Sequence, residues 1–242
     1  MRPRYEVTSC AALPPLLILV TAPVPWLILQ LADSAFPTGG FAHSGGLEAA
    51  VAAGEVTTTG QLDEHLRTTA WNIGHASLPF VGCAHDAPSE VWALDASLDA
   101  VLANHVANRA SRTQGRTFVA TCTQVFDSPA IAGLAACART REVPAHLAPL
   151  FGAVLSLLGI ERHQAMRLYL YTATRAVASA AVRLGVVGPL EAQRLLQRHA
   201  STMDAVLADC ESLSSEQAST VVPLLDILSA THDRLYARLF QS

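Results

Sequence analysis

Apolar positions recur three and four residues apart along most of the chain, the spacing that lines one face of an α-helix. The clearest stripe runs from Glu161 to Leu184 through Met166, Tyr169, Leu170, Ala173, Val177 and Ala180. Its middle, Ala173 to Ala181, is mostly Ala, Ser and Thr, small enough for a neighbouring helix to approach closely, which predicts a central place in a bundle. Gly185 and Gly188 end the stripe, and Pro189 opens the next helix at an N1-like position. Thr59–Leu78 carries Leu62, Leu66, Ala70 and Ile73 and is expected to stop near Pro79. Ser89–Ala110 is expected as one helix, with Leu94, Leu98, Val101, Leu102 and His105 on one face. Shorter helices are expected over Ser44–Ala53, Gln114–Phe126, Ala130–Ala138 and Ala145–Leu158. A last helix, Val221–Phe240, places Leu225, Leu228, His232, Leu235 and Leu239 in alternating steps of three and four. Strand alternation is nearly absent, and no interior linker is long enough to divide domains. The pattern predicts an all-α, single-domain helical bundle.

Composition narrows the function. Hydrophobic residues are 51% of the 242 and charged residues 15%, which excludes a disordered chain and leaves ample apolar surface for a core. Acids outnumber bases 20 to 16, so no basic excess exists to neutralise phosphates, and a nucleic-acid partner is not expected. Every basic residue is Arg; there is no lysine. Schiff-base chemistry, a Walker A nucleotide loop and a Ser-Lys hydrolase are therefore excluded. Cys10, Cys83, Cys122, Cys137 and Cys210 are odd in number and widely spaced, unlike a disulfide framework or a zinc knuckle. Thiols used as small core residues fit a reducing, cytoplasmic compartment.

No residue between Glu6 and Asp33 is charged, and Arg2 and Arg4 precede this run. Pro14, Pro15, Pro23 and Pro25 interrupt it, whereas a membrane-spanning helix needs about 20 regular apolar residues. Val20-Thr21-Ala22 looks like a signal cleavage triplet, but Pro23 would impede cutting. Residues 1–25 are read as a disordered or mis-started extension, with the folded domain over 26–242 and no membrane contact.

The most unusual stretch, Leu29 to Glu48, holds four glycines, a proline and a histidine just before a helix. Such turns can cradle phosphate, but the P-loop spacing fails and its lysine is missing. The ordinary reading is a tight buried turn in which Ser44 caps the next helix and Glu48 sits in its first turn. An enzymatic alternative takes Ala42-His43-Ser44-Gly45-Gly46 as a nucleophile elbow, making the protein a serine hydrolase on Ser44. It lacks the preceding strand, and Asp226 and His232, its available acid and base, would lie on different faces of one helix. Nine histidines are present, yet no two fall three to five residues apart, so no helix face offers a metal-binding pair and no metal site is expected. Arg109, Arg112 and Arg116 form a basic run that would suit an acidic partner surface, a partner's nucleotide, or simple solvation.

These residues resemble the UreF family of urease accessory proteins. Leu29–Glu48 is similar to the family's amino-terminal signature, through Asp33, Ser34, Pro37, Gly40, Phe41, His43, Ser44, Gly46 and Glu48. Ser111 to Arg116 is similar to its S-x-x-x-G-R element, and His146 to Ile160 to its H-x-x-x-x-G…L-G-I stretch. Arg183 to Gly188 with Gln193 is similar to its R-L-G-x-x-G…Q element. Pro223, Asp226, Ile227, His232, Arg238, Leu239, Phe240 and Ser242 are similar to its carboxy-terminal signature. The resemblance implies a dimeric helical adaptor without chemistry on a small substrate. It would bind UreD/UreH, and together they would recruit the GTPase UreG and apo-urease. Nickel would be handled by the complex, with no cofactor held by this chain itself. Leu235, Leu239 and Phe240 on the last helix would then meet UreD/UreH, with Arg234 and Arg238 at the rim. Arg109, Arg112 or Arg116 would meet the GTPase, and Ser34, His43 and His232 would line an interior nickel passage.

Overall fold

The computed structural model describes residues 25–140 and 142–242. Its axis is helix α3, Thr59–Asp86, preceded by α1 (Trp26–Ala32) and α2 (Leu47–Ala52). Thr58 starts α3 with a capping box: its hydroxyl accepts from the Gln61 N–H, while the Gln61 side chain accepts from the Thr58 N–H. The apolar face buries Leu62, Leu66, Ala70, Leu78 and Val81. Against it pack α7, Leu147–Leu157, and α8, Arg162–Arg183. Nearly all of α7 is buried, as expected of a helix apolar on every side. On α8 the small residues Ala178, Ala180 and Ala181 are buried, so the predicted central position is observed. Helices α4 (Val91–Val101), α5 (His105–Val125) and α6 (Pro129–Thr140) cover the α7 side. Helices α9 (Pro189–Arg198) and α10 (Ala200–Cys210) cover the α8 side, and α11 (Pro223–Ala230) lies against α2 and α5. The main core gathers around Phe80, Phe118, Phe151 and Met166, and a smaller one around Leu47, Leu66, Val177, Leu195 and Phe240. No strand occurs among the described residues, in agreement with the all-α expectation.

The structure corrects three helix boundaries. Helix α3 does not stop near Pro79 but runs through it to Asp86. Proline has no N–H to give the carbonyl four residues earlier, that of His75. The Ser219 N–H donates to that oxygen instead, at 3.1 Å, so a tertiary contact repairs the break. The single helix expected over Ser89–Ala110 is divided by residues 102–104 into α4 and α5. Asn104 causes the restart, its side chain accepting from the Val106 and Ala107 N–H groups at 3.0 and 3.2 Å. The helix expected over Gln114–Phe126 is the remainder of α5.

The third correction matters most. The last helix is only Pro223–Ala230; a 3₁₀ turn follows at His232–Arg234, and residues 235–242 are non-helical. Leu235, Leu239 and Phe240 therefore share no helical face: Phe240 is buried, Leu235 half-buried and Leu239 exposed. Partners outside the segment bind its backbone N–H groups, and these outweigh its helical spacing. The expected extension at 1–25 lies outside the described residues, except for Pro25. Among those described, no helix is long and apolar enough to cross a membrane.

Candidate functional site

Glu48, in the first turn of α2, is the hub of a buried cluster. One carboxylate oxygen accepts from His232 Nε2 at 2.8 Å and from the Phe240 N–H at 3.2 Å. The other accepts from the Leu239 N–H at 2.5 Å. A carboxylate removed from water needs such donors, and here all come from the carboxy-terminal segment. Beside it the Ser44 N–H and hydroxyl both donate to the Ser242 backbone oxygen, at 2.6 and 2.9 Å. The Gln241 N–H donates to the Ala42 carbonyl at 2.8 Å, and His43 Nδ1 lies 2.6 Å from the Ser242 hydroxyl. Burial holds the His43 imidazole below its usual range, helped by the nearby Arg109 guanidinium and His232.

Arg183 at the end of α8 completes the cluster. Its guanidinium sits between the rings of Phe41 and Phe240, 3.7 and 4.0 Å from their centroids. The amino-terminal signature, the R-L-G element and the carboxy-terminal signature thus meet in one place. Among the residues they hold, Phe41, Tyr236 and Leu239 remain exposed, at 75%, 107% and 61%. Arg183 belongs to the R-L-G element, but its stacking partners lie too far away in sequence for the spacing to reveal them.

The expected cap is rearranged. Gly46, at φ +88°, occupies the N-cap position of α2, and its left-handed backbone suits glycine. Ser44 contributes from two residues earlier, its hydroxyl accepting from the Glu48 N–H at 3.3 Å. The hydrolase reading loses its geometry: Ser44 is fully buried, its proton is committed to Ser242, and no strand precedes it among the described residues. Asp33 and Ser34 are exposed in the turn after α1, so Ser34 does not line an interior passage. Asp33 accepts from the Ala35 N–H, and the exposed Pro37 has its carbonyl held by the Thr121 hydroxyl at 2.8 Å. Gly40 begins a 3₁₀ turn that carries Phe41.

Arg109, Arg112 and Arg116 do line one groove of about 500 Å³, with Leu102, His105 and Asn108. Their roles differ. Arg109 makes a two-pronged pair with Asp233, at 3.0 and 2.8 Å, and His105 and Arg238 approach the same carboxylate. Arg116 donates to the Ala138 and Val143 carbonyls and fastens the segment after α6. Gly115 lets that segment in: a Cβ there would lie 2.1 Å from the Ala145 oxygen. Ser111 accepts from the Leu147 N–H, so much of the S-x-x-x-G-R element serves as a structural clamp. Arg112, 3.9 Å from Asp99, is held most loosely of the three. Arg234 is exposed, next in the chain to Asp233.

Comparison with known proteins matches the sequence of this chain to a family. A family model described as UreF matches residues 56–200. Urease accessory protein F of Arabidopsis thaliana is 38% identical over 221 residues, which cover 90% of this chain and 92% of that protein. Urease accessory protein F of Oryza sativa subsp. indica is 36% identical over 221 residues, covering 89% and 84%. Urease accessory protein UreF of Trichodesmium erythraeum (strain IMS101) is 26% identical over 219 residues, covering 88% and 94%. With the family model covering more than half of its length, the chain belongs to the UreF family.

Proposed function

We propose that this chain is a urease accessory protein that acts as an adaptor in urease maturation and performs no catalysis of its own. In this reading it works in the cytoplasm as a homodimer, binds UreD/UreH, and with it recruits the GTPase UreG and apo-urease for nickel insertion. Nickel is the cargo of the assembly. The observation that supports the reading best is the cluster at Glu48 and Arg183. It spends its polar groups on holding two chain segments together and leaves Phe41, Tyr236 and Leu239 facing solvent. Exposed aromatic and aliphatic side chains on a rigid base are what an interface uses as anchors.

Removing residues 235–242 would be a poor test, because it also strips two of the three donors from Glu48 and takes Phe240 out of the core. Point substitutions are cleaner. Tyr236→Ala combined with Leu239→Asp should abolish co-purification with UreD/UreH while helical content and melting temperature stay near wild type. Co-expression with UreD/UreH, UreG and apo-urease should then yield no nickel-dependent urease activity. Full activation by this variant would overturn the reading.

Control of the GTPase by steric gating fits better than an arginine finger. Asp233 already neutralises Arg109, and backbone carbonyls hold Arg116. Arg112→Ala should leave GTP turnover of the assembled complex unchanged; a loss of 10³-fold or so without loss of assembly would favour the finger.

A further inference from the structure

Away from this cluster, His75 of α3 and Asp209 and Cys210 of α10 turn ligand atoms toward one another, all within 4.8 Å. His75 Nε2 and Asp209 Oδ2 are 3.2 Å apart. The two helices meet here because position 74 is glycine: a Cβ would stand 2.3 Å from Val206 Cγ1 and 3.1 Å from Cys210 Sγ. The imidazole and its backbone both have partners. Trp71 stacks on it, with centroids 6.0 Å apart at 21°, and Ser219 holds the His75 carbonyl that Pro79 leaves free. A groove of about 360 Å³ reaches His75 from solvent between Trp71 and Val221–Val222. Arg67, at the same groove, is paired with Glu64, which tempers its repulsion of a cation.

We propose that His75, Asp209 and Cys210 form a mononuclear site for a borderline divalent cation of the Zn²⁺ and Co²⁺ kind, with water completing the shell. The donor set selects the class: magnesium and calcium take oxygen shells, and monovalent copper takes sulfur, whereas one nitrogen, one oxygen and one sulfur suit the ions between. Bonds of about 2.0–2.3 Å to a tetrahedral ion put its ligand atoms about 3.5 Å apart. His75 and Asp209 already stand at 3.2 Å, and no pair of the three ligand atoms is farther apart than 4.8 Å, so closure needs a shift of little more than an ångström. Binding replaces the Cys210 thiol proton by the metal and releases that proton to water. Three protein ligands leave one position open, as in sites that exchange a ligand. The absence of a histidine pair on one helix could not reveal this, because the ligands come from two helices distant in sequence.

The test uses the full chain, stripped of metal by a chelator and titrated with Co²⁺ and Zn²⁺. Expected are one equivalent bound per chain and a thiolate-to-Co²⁺ charge-transfer band with tetrahedral d–d absorption. Cys210→Ser should remove the band, while Cys83→Ser and Cys137→Ser keep it. Cys210 is fully buried, so His75→Ala and Asp209→Asn, at the rim, serve as variants that spare the core. Each should weaken Zn²⁺ binding at least about tenfold. The proposal is overturned by the absence of stoichiometric Zn²⁺ binding or of a thiolate band. It is equally overturned by unchanged affinity in both rim variants, which would reduce the trio to an ordinary ion pair beside a core thiol.

Discussion

The Glu48 carboxylate and the His232 imidazole lie 2.8 Å apart although 184 residues of chain separate them. Both are buried, and the same carboxylate holds two backbone N–H groups of the segment that follows His232. One acidic residue in a six-residue helix thereby decides where the carboxy-terminal segment runs.

Glu48→Ala should release that segment. Leu239 and Phe240 lose their acceptor and His232 Nε2 loses its hydrogen-bond partner, and each buried donor left unsatisfied costs about 1–3 kcal/mol. Urea unfolding measures the loss. Hydrogen exchange should show the amides of Leu239 to Gln241 losing protection while α3 and α8 keep theirs. Uniform loss of protection would mean that Glu48 supports the whole bundle rather than the segment.

Acid should destabilise the protein below neutrality. Burial pushes the His65 imidazole down to about 4 from 6.5. Above 6.5 neither state binds the proton; below it the unfolded chain does and the folded one does not. Stability therefore falls as pH drops from 6.5 to about 4, by about 3 kcal/mol in total from this residue. His43 and His146, also lowered by burial, act in the same direction. Denaturant midpoints measured from pH 7 to pH 5 should decline in the wild type and decline less steeply in His65→Leu, where His43 and His146 still contribute.

Two glycine substitutions on adjacent helices should have opposite signs. Gly115→Ala drives a methyl group against the Ala145 carbonyl and should destabilise by about 1–3 kcal/mol. Gly133→Ala, exposed in α6 with open space around it, should stabilise by about 0.8 kcal/mol. Thermal melts of the two variants against wild type check both.

The Arg109–Asp233 pair should matter little to stability despite its two-pronged geometry. Both side chains are partly exposed, at 49% and 34%, and solvent screens them. A double-mutant cycle with Arg109→Ala and Asp233→Ala should return about 0.5–1 kcal/mol, shrinking in high salt. A larger coupling would mark this pair as the anchor of the turn after α11.

Most helices were legible from spacing, because each stripe reports a local period that burial then enforces. α8, with its small residues, and α9, opened by Pro189, match their expectation closely. The misread boundaries share a cause. At Pro79 a distant Ser219 supplies the missing hydrogen bond, and after Ala230 the distant Glu48 takes the Leu239 and Phe240 N–H groups that a helix would have used.

The site divides in the same way. Lacking lysine, the chain carries no P-loop and no Schiff base, and its ordered motifs identify the family; these follow from the residues alone. Tertiary structure alone decided that three of those motifs close on one another at Glu48 and Arg183, that Ser34 faces water, and that Arg116 is a clamp. It also decided that His75 meets Cys210. The physical reason is range: helical periodicity couples residues three or four apart, whereas a buried carboxylate, a stacked guanidinium or a metal-ligand set is completed by whichever distant groups the packed helices bring within about 3–5 Å.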